Sequence, residues 1–360
     1  MNTTANIGKS ILKWVGIVLG AIVLIAFLIV VLLTVTEYRP KDETVLSARG
    51  SSAKQVESGS EYTALSWNIG YGALGDYADF FMDGGSHVST STASQVKDNM
   101  ASIVSVVKNE NPDIMFFQEV DVSSKRSHYI DETDLFMDSF DGYSGFYAPN
   151  YKVLYVPYPF PTIGKVNCGL FSMTDFDVSE SKRISLPCPF KYPVRLCNLK
   201  RCLNISRSPV AGSDKELVMV NIHLEAYDSG EGKIQQTEML NEILEEEALK
   251  GNYVIAAGDF NQYFSTVDLS PYPQKEGLWE PSYLDVSDFG SNLNFYADSS
   301  KPSCRSLDKP LTDSNRDGFQ YYIIDGFIVS SNVYVISNET LDCHFKNSDH
   351  NPIKLVFKLS

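Results

Sequence analysis

The chain has 360 residues, of which 43% are hydrophobic and 21% charged, and a net charge of -15. That size and composition describe a folded protein with a large core and exclude a disordered or low-complexity chain. Lys9 and Lys13 are the only charges in residues 1–36, so the remainder carries -17, which opposes tight non-specific binding to nucleic acid.

Residues 1–13 form a short N-terminal tail. From Trp14 to Thr36 the chain runs 23 residues without a charge, rich in Ile, Val, Leu and Ala. At about 1.5 Å per residue such a helix spans a bilayer core of about 30 Å. The run exceeds the apolar region of about 7–15 residues in a signal peptide, and no small-x-small cleavage site follows it. Residues 14–36 are therefore expected to be a retained single-pass transmembrane anchor, with the membrane as partner. Basic residues flank both ends (Lys9 and Lys13 before, Arg39, Lys41 and Arg49 after), so the charge count leaves orientation open. Six cysteines favour an oxidising, extracytoplasmic compartment for the domain, with a local disulfide expected among Cys188, Cys197 and Cys202. Asn204-Ile205-Ser206 and Asn338-Glu339-Thr340 have the form of glycosylation sequons. Residues 37–61, rich in Ser, Gly and charge, read as a flexible tether. A single domain fills residues 62–360.

Within it, Tyr62 to Trp67 alternates as a strand and stops at the turn-prone Asn68-Ile69-Gly70. Ser94 to Asn109 has helical spacing, with Val96, Met100, Ile103, Val104 and Val107 on one stripe, and Pro112 follows it. Asp113 to Phe117 is a short buried strand running into Gln118-Glu119. Glu216 to Leu224 is another, with Asn221 and His223 on one face by the two-residue repeat. Lys233 to Lys250 reads as an amphipathic helix, Tyr253 to Ala257 as a strand that opens onto Gly258-Asp259-Phe260-Asn261. Tyr321 to Ile324 leads into Asp325, and the strand Pro352 to Phe357 follows Ser348-Asp349-His350. Each polar group thus stands at a strand end, where rigid backbone holds it. Carboxylates with an imidazole and an amide there suit a site that moves phosphorus.

The ordered set Asn68, Gln118-Glu119, Asn221-Ile222-His223, Gly258-Asp259-Phe260-Asn261, Ile324-Asp325 and Ser348-Asp349-His350 resembles the motifs of the endonuclease/exonuclease/phosphatase superfamily. That group includes DNase I-like nucleases, inositol polyphosphate 5-phosphatases and neutral sphingomyelinases. The resemblance covers roughly residues 62–358. It implies a DNase I-like, four-layered α/β sandwich: two mostly antiparallel sheets face to face, with helices outside. It also implies roles. Glu119 is the principal ligand of Mg2+ or Mn2+, with Asn68 and Asp349 completing or water-bridging the shell. His350 is the base that activates water, and Asp325 holds its imidazole. Asp259 orients the nucleophile or a second metal, Asn261 donates to a phosphate oxygen, and His223 stabilises developing charge or assists the leaving group. His87, His128 and His344 match nothing in the set.

Two stretches bear on substrate. Tyr143 to Phe160 is rich in Tyr, Phe and Pro, as in a loop lining a groove or resting on a membrane interface. Lys191 to Arg207 contains five basic residues that could form a patch. The expected activity is metal-dependent hydrolysis of a phosphodiester or phosphomonoester at the membrane, with a lipid or small molecule favoured over DNA. A nuclease and a non-catalytic membrane-tethered binding module are the alternatives.

Overall fold

The computed structural model describes residues 2–227 and 230–360, with the side chains of all of these except residues 2–6 and Lys9. Four α-helices occur among them: α1 (Asn2–Val35), α2 (Ala93–Glu110), α3 (Glu132–Met137) and α4 (Glu231–Leu249). The strands form two seven-stranded sheets. One runs Glu43–Val45, Glu180–Ser185, Cys202–Pro209, Glu216–His223, Tyr253–Asp259, Asp325–Ser330, Leu293–Tyr296. The other runs Val333–Thr340, Ile353–Leu359, Glu61–Asn68, Ile114–Asp121, Gly164–Thr174, Ser144–Val156, Arg49–Gly50.

Neighbours are antiparallel except for one pair near the middle of each sheet. Glu61–Asn68 lies parallel to Ile114–Asp121, and Glu216–His223 parallel to Tyr253–Asp259. A parallel pair requires a crossover, and α2 and α4 supply the two. The helix α2 starts where the sequence can cap it. Thr92 Oγ1 accepts from Gln95 N at 3.3 Å while Gln95 Oε1 accepts from Thr92 N at 2.8 Å, a reciprocal capping box. It ends at Asn111, left-handed at φ 45°, before Pro112. The stripe of Val96, Met100, Ile103 and Val107 packs on Leu65, Trp67, Met115 and Phe117 of one sheet. Leu240 and Leu244 of α4 pack on Val218, Val220, Val254 and Ile328 of the other. Between the sheets lie Ala64, Phe116, Met219, Ile255, Phe327, Leu355 and Phe357. This is the expected four-layered sandwich. Phe116 is fully buried at its centre, so Phe116→Ala is expected to cost about 3–5 kcal/mol, read as a lowered thermal midpoint of the detergent-solubilised chain.

Three expectations are corrected. Most of the aromatic stretch from Tyr143 is a strand, and residues 157–160 lie in a loop. Ser144–Val156 is a 13-residue strand paired with Gly164–Thr174, and Phe146 and Val153 are buried. Its alternating apolar residues outweigh the single Pro149, which sits at a register shift. The tether is not slack either. Glu43–Val45 and Arg49–Gly50 pair with opposite sheets, and Val56 bridges to Val210. Finally, the six cysteines are all free. Cys188 is exposed while Cys202 is buried with its thiol towards Ala148 O, so the local disulfide is not made. The sequon residue Asn204 is wholly buried and donates to Phe146 O, leaving no room for a glycan.

The helix α1 contains a stretch, Ser10–Val35, long and apolar enough to cross a membrane. Its last turns are docked. Ile29, Val30 and Leu33 pack against Val153, Val156, Val166 and Leu196. Just beyond, the Glu37 carboxylate is 4% exposed and faces Arg39 at 2.9 Å, Arg195 at 3.2 Å and Lys200 at 3.6 Å. Tyr38 lies between Lys152 and Arg183.

Candidate active site

Both parallel strand pairs end at the same rim of the sandwich, and their last residues face one another. In one sheet His223, Asp259 and Asp325 are aligned across three adjacent strands. In the other, Asn68 pairs with Gln118, and the register slips between Phe117 and Val120. That slip puts Glu119 at φ 55° and turns its side chain out of the strand. A non-glycine residue held there stores on the order of 1–3 kcal/mol, a cost typical of functional positions.

Gly258 allows its strand to approach its parallel neighbour closely at the rim. At φ 153°, a Cβ here would lie 1.9 Å from Ile222 O on the neighbouring strand. Gly258→Ala is expected to lose about 3 kcal/mol or more and to displace Asp259. Thermal melting and turnover should fall together; an unchanged melt would refute the steric argument.

The Ser348-Asp349-His350 turn is pinned from three sides. Ser348 Oγ donates to Asn68 O at 2.7 Å, Trp67 Nε1 donates to His350 O at 2.8 Å, and Arg305 N donates to Asp349 O at 3.0 Å. His350 Nδ1 and Asp325 Oδ2 are 2.8 Å apart, and Ser303 Oγ accepts from Asp325 N at 3.1 Å. With Nδ1 so engaged, Nε2 faces the cleft, 3.7 Å from Asp259 Oδ2. On its other side the same oxygen is 3.4 Å from His223 Nε2. Asn68 Nδ2 donates to it at 3.0 Å and to Glu119 Oε1 at 3.3 Å, joining the two sheets. Asn68 Oδ1 accepts from Gly70 N at 3.1 Å. Through its donor nitrogen Asn68 thus ties Glu119 to Asp259, while its Oδ1 keeps a second lone pair for the expected place in the metal shell. Asn261, at φ 52°, spends one amide hydrogen on Leu224 O at 3.0 Å.

All of these groups except Glu119 are buried, and burial sets their electrostatics. It pushes the Asp349 carboxyl up to about 6, with the Glu119 charge adding to it against His350 and Arg305. Burial also raises Asp259, helped by Asp325. The imidazoles diverge. Burial and the Arg201 charge hold His223 well below its usual value, so it is neutral. Burial would lower His350 too, but Asp325 and Asp259 beside it carry it well above.

Carboxylates crowded together in this way suit a divalent cation, which prefers hard oxygen ligands. Glu119 and Asp349 are such a pair, the Glu119 charge helping to raise Asp349. Asp259, Asp325 and His350, whose ligand atoms lie within 4.8 Å of one another, offer a second position. Glu119, Asp259, Asp349 and His350 line a cleft of about 370 Å3 with Arg126 and Arg201. Arg126 stacks 3.6 Å over Tyr71 and is held by Asp121 through two bonds of 3.0 and 3.1 Å.

Sequence reasoning missed the props. Ser303, Trp67 and Arg305 act through backbone or hydroxyl bonds and stand in no motif. Ser348 adjoined Asp349 and was readable. Of the five basic residues in Lys191 to Arg207, four are paired with acids: Arg195 and Lys200 with Glu37, Arg201 with Glu225, and Arg207 with Glu216 and Glu247. They form no open basic patch.

The fold and this rim define a class of protein. The family model described as "Endonuclease/Exonuclease/phosphatase family" matches residues 65–350, and the chain belongs to that family. Its members are hydrolases of phosphoester bonds. No curated protein matches the chain in sequence. Similar solved structures include an endonuclease/exonuclease/phosphatase from Beutenbergia cavernae, 16% identical over 83% of this chain and 72% of that one, TM-score 0.56. ANGEL2, a 2',3'-cyclic phosphatase, is 14% identical over 87% and 98%, TM-score 0.54. The human Nocturnin catalytic domain with bound sulfate is 18% identical over 88% and 98%, TM-score 0.51. At such identities the likeness is one of fold.

Proposed function

We propose that this chain is a membrane-anchored, divalent-metal-dependent phosphoesterase that hydrolyses a phosphodiester or phosphomonoester with an activated water. The observation that carries the reading is the Asp259 carboxylate set between two imidazoles, one of them oriented by Asp325 at 2.8 Å.

In this reading Glu119 would be the principal ligand of Mg2+ or Mn2+, with Asn68 and Asp349 completing or water-bridging the shell. When bound, the cation supplies charge neutralisation at the phosphate oxygens. Asp325 fixes His350 with Nε2 towards the cleft. With the carboxylates that favour its charged form offset by a bound cation, the imidazole returns to the neutral form, whose Nε2 receives the proton of the attacking water while Asp259 orients that water. Neutral His223 donates to a phosphate oxygen or to the departing group, and the free amide hydrogen of Asn261 donates to another. Because water is the nucleophile, no covalent intermediate on the chain is required. The closed ion pairs of the Lys191 to Arg207 segment weigh against DNA, which would meet an acidic domain without a basic track. A non-catalytic module would have no use for an intact dyad.

The detergent-solubilised full chain should hydrolyse bis-p-nitrophenyl phosphate with Mg2+ or Mn2+, stop with chelator, and recover when metal is restored. Turnover insensitive to chelator would sink the reading. It also places the domain on the extracytoplasmic face, where protease added to intact cells would reach it. Protection would reverse that orientation, and the six free thiols lend that side no support of their own.

A further inference from the structure

The junction between α1 and the domain is a rigid neck, and its position relative to the cleft has a consequence. Trp14 to Val35 measures about 33 Å at about 1.5 Å per residue, little more than a bilayer core of about 30 Å. Ile29, Val30 and Leu33 therefore sit at the edge of the hydrocarbon. The domain residues packed on them, Val153, Val156, Val166 and Leu196, sit at the same depth. Beyond the helix, the buried Glu37 with its three cations leaves the domain no swivel. Thr34 Oγ1 and Tyr192 hydroxyl are 3.3 Å apart, which ties the 190s loop to the helix as well.

Beside the charged neck, the adjoining loops expose large apolar side chains. Phe160 is 95% exposed and Tyr158 69% exposed at the tip of the hairpin that the helix touches, with Tyr192 and Val194 exposed on the adjoining loop. Aromatic side chains with one wet and one apolar end collect at bilayer interfaces. The same elements build the cleft. Its lining joins the apolar Ile163, Phe190, Val194 and Leu199, with Phe80 and Met82, to Glu119 and the buried Asp259 and His350. Tyr158 touches Phe81 across this mouth, ring centroids 6.0 Å apart.

We infer that the neck and the Tyr158–Phe160 tip seat the cleft mouth on the bilayer that holds α1, and that the substrate is a phospholipid of that same membrane. The phosphoester would reach the catalytic groups while its acyl part stays against the apolar lining. This rests on the phosphoesterase reading above, with the same balance. One P–O bond forms to water, one P–O ester bond breaks, and the leaving oxygen takes up a proton.

The test reconstitutes the full chain in phosphatidylcholine vesicles containing sphingomyelin, phosphatidylglycerol or phosphatidic acid, and follows phosphorus products by mass spectrometry. Bis-p-nitrophenyl phosphate is assayed in parallel. Tyr158→Ser with Phe160→Ser should lower vesicle-lipid turnover about tenfold, the equivalent of losing one buried aromatic, and leave the soluble substrate within about twofold. A long Gly/Ser insertion between Thr36 and Glu37 should do the same by freeing the domain. Hydrolysis of the soluble ester with no vesicle lipid attacked would overturn this inference alone. So would lipid turnover indifferent to both changes. Failure on every substrate would instead strike the phosphoesterase reading, and this inference with it.

Discussion

His350→Asn should lower turnover about a thousandfold, within the range of about 10²–10⁴ ascribed to a positioned general base. The asparagine side chain can still meet Asp325 and fill the space, so the protein should melt near the parent temperature. What it lacks is a group that accepts a proton at the cleft-facing position. Imidazole added to the buffer should then restore part of the rate in His350→Asn and none in the parent, which separates a missing base from a damaged site. Turnover within a few fold of the parent would remove His350 from the reaction.

Glu119→Gln is the second large effect, and its signs diverge. The change keeps the shape and removes the charge that, with burial, now raises the Asp349 carboxyl to about 6. Metal affinity should collapse, measured as lost Mn2+ binding by electron paramagnetic resonance. Activity should fall at least a hundredfold, since cation stabilisation of the transition state is worth several kcal/mol and about 1.4 kcal/mol is tenfold. Stability measured in chelator should stay level or rise, because like charges are relieved. A variant that binds Mn2+ as the parent does would show that Asp259, Asp325 and His350 form the principal metal position.

Much of this was legible beforehand because side-chain period and strand ends are local properties. The stripe Val96, Met100, Ile103 and Val107 announced α2, and its crowded neighbour strand followed from the Asp113 to Phe117 run. The carboxylates and histidines could be ordered because each closes a strand. Other features depend on what the chain meets after folding. The run from Tyr143 looked like a loop because aromatics and Pro149 hid an alternation that only its partner strand makes visible. Residues 43–56 are too polar to bury much, yet backbone pairing with both sheets holds them. The orientation of the Asn68 amide is a matter of a few ångströms between two sheets, and no spacing rule encodes it. The props at Ser303 and Trp67 share that character, since their contacts bridge residues far apart in sequence.

The bond from Asn68 to Asp259 joins one sheet to the other, and the dyad partner His350 lies ten residues from the end of the sequence. The strand after it, Ile353–Leu359, inserts between Val333–Thr340 and Glu61–Asn68. The hydrolytic centre therefore draws on strands far apart in sequence, and it is assembled only once Ile353–Leu359 has paired with Glu61–Asn68. A chain cut before Ser348 would lack Asp349, His350 and that interior strand together, so proteolysis there would remove the catalytic groups and open the sheet in one event.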